Sequence, residues 1–151
     1  MSVRENIAQN ITQVLGDITT PPVRLVSRNP ITAQDISNVQ YPALFVSSGD
    51  EEREDITQGT TTALRQGQID FTITGLVRAA SSAVTTNNNI DTQRNELLEA
   101  ISEKLEEDRT RNGNALNSYI TDVEVDDGTA YPQGKIIVTY RVVYKYVRGT
   151  L

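Results

Sequence analysis

Carboxylates are the main chemical resource of this 151-residue sequence, and they fall into two groups. Asp50-Glu51-Glu52-Arg53-Glu54-Asp55 places five of them in six residues. Oxygen ligands at that density suit a hard cation. The spacing departs from an EF-hand loop, which needs acidic residues at alternate positions and a glycine at the sixth. Arg53, in the middle of the run, would also repel a cation, so a solvated or interface loop is the better reading. In the second group Asp122, Glu124 and Asp126 alternate with Val123 and Val125, which puts three carboxylates on one face of a strand. With the apolar face turned inward, Asp122 and Glu124 are expected beside Arg141 and Lys145 of the partner strand. Cross-strand ion pairs of that kind contribute roughly 0.2–1 kcal/mol each. The sharper alternative is a metal-assisted hydrolase using Asp122, Glu124 or the Asp50–Asp55 cluster. It needs a cleft and a substrate platform, and two Phe with no Trp leave little to build one.

Other chemistry is limited by what is missing. There is no histidine and no cysteine. A Ser-His-Asp or Cys-His nucleophile, a thiolate–imidazole zinc site and a histidine general base are therefore excluded. No catalytic residue, cofactor or metal is assigned. The nearest glycine pairs, Gly59 with Gly67 and Gly128 with Gly134, lack the Lys-Ser/Thr tail of a phosphate loop. Tyr140, Tyr144 and Tyr146 could stack bases in principle. With only 14 Lys+Arg against 20 Asp+Glu and a net charge of -6, a sheet core or protein interface explains them better. The same acidity argues against wrapping nucleic acid, whose phosphates demand clustered cations. The polar start and the lack of any long apolar run lead us to expect a soluble chain without a signal peptide or membrane span.

The elements that must position these residues follow from periodicity. Val3, Ile7, Ile11, Val14, Leu15 and Ile18 recur at helical spacing. They predict a helix over 2–17, with Ser2 and Glu5 as a capping box and Thr19-Thr20-Pro21-Pro22 as its stop. Strands are predicted over 23–27, over the apolar run 43–48 and from about Gln68, where Ile69, Phe71, Ile73 and Val77 alternate with polar residues. A second helix over 91–108 carries Leu97, Leu98, Ile101 and Leu105 on one face, and Thr32–Asn38 forms a helical turn or two. A long hairpin follows, with strands over 119–126 and 135–147 and a turn through Asp127-Gly128 to Gly134. The order predicts an α+β fold: a mostly antiparallel sheet of about five strands with two amphipathic helices on one face. No linker divides the chain, so residues 1–151 read as one domain. Leu, Ile, Val and Phe make up about a quarter of it, above the roughly 20% below which chains fail to fold. Two polar stretches, Gly49–Gln66 and Ala79–Asn89, read as loops. The first, at 18 residues, exceeds the usual limit of about 12–15. Such loops suit hydrogen-bonded contacts between subunits and favour an assembly protein over an enzyme.

The amphipathic first helix is followed by Arg28-Asn29-Pro30, Tyr41-Pro42-Ala43-Leu44-Phe45-Val46 and the acidic run. Then come Arg94-Asn95-Glu96-Leu97-Leu98-Glu99-Ala100-Ile101 and a strand ending in Tyr144-Lys145-Tyr146. In this order of elements the chain resembles the tail terminator proteins of long-tailed bacteriophages, also called tail completion or minor tail protein U-like proteins. The resemblance implies a small subunit of a homohexameric ring at the neck-proximal end of the virion's tail, assembled in the host cytoplasm. The ring would cap the tail tube, end its polymerisation and offer a surface to the neck or connector protein, and in contractile tails to the sheath. Genomic DNA would pass through it without specific binding. Subunits of such a ring need complementary patches on opposite sides. The candidate subunit or tube contacts are Asp50, Glu52, Arg53, Asp55, Arg65, Arg141 and Lys145. A different neck or head-completion protein is the nearest alternative.

Overall fold

The structure is a computed structural model that describes residues 2–29, 40–55, 64–78, 90–126 and 133–147. Helix α1 spans Val3–Gly16 and buries Ile7, Ala8, Ile11 and Leu15, the stripe expected from the sequence. The Ser2 hydroxyl accepts a hydrogen bond from the Glu5 backbone N–H at 3.1 Å, which satisfies one of the helix's open donors. The other half of the capping box does not form, because the Glu5 carboxylate accepts from Arg28 instead, at 3.0 Å for one of the two bonds. Asp17 closes the helix, its N–H bonded to Val14 O at 3.1 Å. Helix α2 spans Ile90–Glu106 and buries Leu97, Ala100, Ile101 and Leu105. Its exposed side carries Glu96, Glu99, Glu103 and Glu106.

Among the described residues five strands form one sheet: β1 (Leu25–Ser27), β2 (Ala43–Asp55), β3 (Leu64–Arg78), β4 (Asn117–Val125) and β5 (Gln133–Val147). Their spatial order is β1-β2-β3-β5-β4. β1 and β2 are parallel and every other pair is antiparallel, so the architecture is α+β, as predicted. Alternation in β5 is strict: Ile136, Val138, Tyr140, Val142, Tyr144 and Tyr146 are buried, and they join Ile69, Phe71 and Ile73 of β3 and both helices in one core. Burying a Leu, Ile or Phe fully contributes roughly 1.5–3 kcal/mol, so this face holds the layers together. The tyrosines are thus core residues first.

Two expectations need correction. Gly49–Gln66 is not loop throughout, and 56–63 of it lie outside the described residues. β2 runs through the acidic residues to Asp55, and β3 begins at Leu64, paired from Glu51↔Ile69 to Asp55↔Arg65. The polar side chains concealed the strand, but a ladder is made by backbone groups, and a two-sided extension tolerates polar residues on both faces. A register shift between Ser48 and Glu51 marks the bulge that starts the extension. Gly49 is needed there, since a Cβ on it would lie 2.3 Å from Asp70 O. The second correction concerns ion pairing and is described below. The helical turn expected over 32–38, the loop over 79–89 and the hairpin turn over 127–132 lie outside the described residues.

A polar surface at the end of the sheet

The extension of β2, with β3 and β5, forms one end of the sheet, and its alternation sorts the acidic run onto two faces. Directly opposed residues share a face. Glu51, opposite the core residue Ile69, and Arg53, opposite Gly67, therefore lie on the helix-covered side, while Glu52 and Glu54 oppose Gln68 and Gln66 on the other. Carboxylates adjacent in sequence are thus divided between two faces, and among the described residues no group of three or more Asp or Glu could hold a metal.

On the helix side the Glu51 carboxylate is 8% exposed and is held from three directions. It accepts hydrogen bonds from the Tyr144 hydroxyl and from Arg53 Nε, and Arg4 of α1 lies 3.5 Å away. Arg4 also donates to Gly49 O at 2.8 Å, so the helix layer reaches this end of the sheet through one side chain. Tyr144 can reach Glu51 because its register partner on the strand between them is Gly67. A Cβ on Gly67 would sit 2.5 Å from Tyr144 Cζ. Burial, then the bond to the Glu51 carboxylate, push the Tyr144 phenol well above its ordinary range. Arg53, pinned by Glu51, stands over the Tyr146 ring, with its guanidinium carbon 5.2 Å from the ring centre. That distance is within cation–π range. Tyr144 and Tyr146 are 5.7 Å apart between ring centres. Tyr146 is 7% exposed, and its hydroxyl has no hydrogen-bond partner among the described residues. Arg65 extends the same face, registered between Asp55 and Tyr146. This arrangement holds no activated nucleophile. A satisfied carboxylate fixes a cation over an aromatic ring, which holds Arg53 in place.

The opposite face carries Glu52, Glu54, Gln66, Gln68 and Lys145, with Glu52, Glu54 and Lys145 exposed. The shallow depression lined by Glu52, Arg53, Glu54, Gln66 and Gln68 has a volume of about 140 Å³. Small-molecule sites usually need roughly 300 Å³ or more and a largely apolar lining. Here the ion-pair expectation fails. Arg141 does not join Asp122 or Glu124. It donates to Asp70 of β3 at 2.9 and 3.2 Å, a two-bonded pair that holds the guanidinium firmly ionised. β5 has a neighbour on each side, and the prediction weighed only the hairpin partner. Asp122 and Glu124 face Thr139 and Ile137 instead, and Lys145 lies beyond the end of β4, opposite Gln66 of β3. Of the seven candidates, Arg53 and Arg65 therefore lie on one face and Glu52 and Lys145 on the other. Asp50 is exposed at the bulge, Asp55 ends β2, and Arg141 sits nearer the middle of the sheet.

Two buried arginines carried no sequence signal as structural parts. Arg94, on the core side of α2, donates to the Asp126 carboxylate and to its backbone O at 3.2 Å, tying the helix to the β4–β5 end. Arg111 has no exposed surface and donates to Leu105 O at 2.7 Å and to Asp108 O, so it caps α2 from below. The loop that delivers it has positive φ at Arg111, Asn112 and Gly113. Asp108 folds that loop by accepting from Thr110 Oγ1 at 2.6 Å and from Asn112 N at 2.8 Å, bonds that hold its carboxyl below the usual range. An Asp followed by Asn-Gly within five residues was the available clue.

No described helix is long and apolar enough to cross a membrane. The chain matches no protein-family model and no curated protein sequence. Among solved structures it is similar to a chain in one described as the virion of a native gene transfer agent particle. The two are 13% identical over 95% of this chain and 94% of that one, with a TM-score of 0.44.

Proposed function

We propose that this chain, as one domain over 1–151, is a structural virion protein. In this reading it is a tail terminator whose homohexameric ring caps the tail tube of a long-tailed phage and joins it to the neck. The observation that carries the reading is the sheet end itself. The ends of β2, β3 and β5 carry charged and amide side chains on one face and, on the other, Arg53 pinned over the core residue Tyr146. A monomer gains little from such an extension, whereas an assembly subunit gains two chemically different contact faces. Arg53 and Arg65 would meet one neighbour, subunit or tube, and Glu52 and Lys145 another. The order of elements, which resembles that of terminators, supports the same reading. A net charge of -6 suits a channel through which DNA must slide without sticking.

The test is electron microscopy of tails assembled with and without the protein. Tails that overgrow or fail to join heads in its absence support a terminator. Tails of normal length that lack only the neck joint indicate a connector component, and normal particles overturn both.

A further inference from the structure

The two edges of the sheet differ in charge and in exposure. Among the described residues β4, the nine residues Asn117–Val125, is an edge strand paired with β5 alone. In an antiparallel ladder alternate residues turn their N–H and C=O away from the partner, so β4 offers a row of unpaired backbone groups. Among the described residues, three of the four exposed large hydrophobic side chains lie on this strand or directly before it: Leu116 (50%), Tyr119 (43%) and Val125 (52%). Asp122 and Glu124 are exposed on it as well. Proteins usually blunt such an edge with lysine, proline or a cover. Among the described residues β4 has no lysine, proline or covering strand, and carries the acidic Asp122 and Glu124 and a register shift between Ile120 and Asp122. At the opposite edge, β1, Arg24 precedes the strand and is exposed, while Arg28 follows it with its charge already met by the Glu5 carboxylate. No described strand pairs with its outer side.

Strand direction adds an independent constraint. β1 and β2 run one way, β3 reverses, β5 returns and β4 reverses again. A second copy related by rotation about an axis near the strand direction keeps the same sense. Its β1 would then run antiparallel to β4, the better-bonded arrangement. We infer that copies of this chain associate edge to edge, β4 of one, with Asp122 and Glu124, against β1 of the next, beside Arg24. The sheet then continues from subunit to subunit. This head-to-tail contact uses opposite sides of each subunit and can close into a ring. The three residues of β1 limit the strength of each joint, and closure compensates by making the last joint intramolecular. The inference deepens the ring reading by naming its joint, but it rests on the two edges and is tested separately.

Because the chain has no cysteine, single thiols can report the contact. Thr121→Cys on β4 and Arg24→Cys beside β1 are prepared separately and oxidised alone and mixed, at high protein concentration. The expected result is a disulfide dimer in the mixture and little in either variant alone. Dimer from Thr121→Cys alone, signifying β4 against β4, would overturn the inference, as would no cross-link in any sample. Sedimentation of charge-reversed protein gives a second readout. Asp122→Lys with Glu124→Lys should weaken association about tenfold or more by placing like charges together. Adding Arg24→Glu should restore part of it. Association that ignores both changes sinks the edge joint but leaves the virion reading, whose test is tail assembly, untouched.

Discussion

Tyr144 donates its hydroxyl hydrogen to Glu51 across the full width of β3, passing over Gly67. Three strands are tied by one side chain because the middle one carries no side chain at that position. The bond converts an acidic residue from a polar run into a fixed part of the sheet, and it places Arg53 over Tyr146.

Gly67→Val should therefore be worse than its position near a sheet end suggests. The new side chain must displace the Tyr144 ring, and overpacking of that kind typically costs about 1–3 kcal/mol. Tyr144→Phe keeps the ring and removes only the donor to a mostly buried carboxylate, at about 1–3 kcal/mol. Urea denaturation of each variant measures both. Native stability in Gly67→Val would contradict the packing described.

Arg111 offers a contrast between charge and volume. Arg111→Ala leaves a void and unpairs the carbonyls of Leu105 and Asp108, for a loss of about 2–5 kcal/mol. Arg111→Met fills most of the space and should lose less, since a buried charge is often replaceable by an apolar side chain of similar volume. Equal losses in thermal melts would show that the hydrogen bonds dominate.

Stability should fall at alkaline pH. Burial raises the Tyr140 and Tyr144 phenols above the value near 10 that they have in the unfolded chain. Above about pH 10 the unfolded state has lost protons that the folded state still holds, so the unfolding free energy decreases as pH rises. This contribution is complete below pH 10 and is lost as pH rises through the folded values. Asp108 works in the opposite sense: its lowered carboxyl stabilises above about pH 4, and that share is lost as pH falls further. Urea midpoints measured from about pH 3 to 11 report both limbs, and Tyr144→Phe should flatten the alkaline one.

The outer face at the sheet end should matter for assembly and hardly for folding. Glu52→Lys and Lys145→Glu change exposed side chains, where substitutions usually alter stability by no more than about 0.5 kcal/mol. Under the terminator reading they reduce tail capping, seen as a broader distribution of tail lengths. Unchanged lengths with both substitutions would remove this face from the assembly.

Much of the fold was legible because it depends on local patterns. The Ser2 cap, the stripe Ile7–Ile11–Leu15 and the prolines after Thr20 bracket α1 to within a residue or two of its observed ends. The alternation of Ile136 to Tyr146 identified the buried face of β5. The candidate site was legible only in part. Arg53 and Arg65 stand out in the sequence only as members of a polar stretch, and the acidic run shows there as one cluster because adjacency along the chain hides the alternation between faces. Gly67 and Arg111 gave almost no signal, since the role of each depends on a residue far along the chain.

What the sequence by itself determined is the set of amphipathic elements, the α+β class and the absence of His and Cys chemistry. Each of these depends on spacing within one element or on composition. Only the tertiary structure decided that Asp70 rather than Asp122 holds Arg141, that the Glu51 side chain is mostly buried while Glu52 is exposed, and that Asp122, Glu124 and exposed apolar side chains share one sheet edge while Arg24 stands by the other. The reason is register. Side chains alternate between faces every residue, and a strand has two neighbours, so the partner of any charge is chosen by how the strands align.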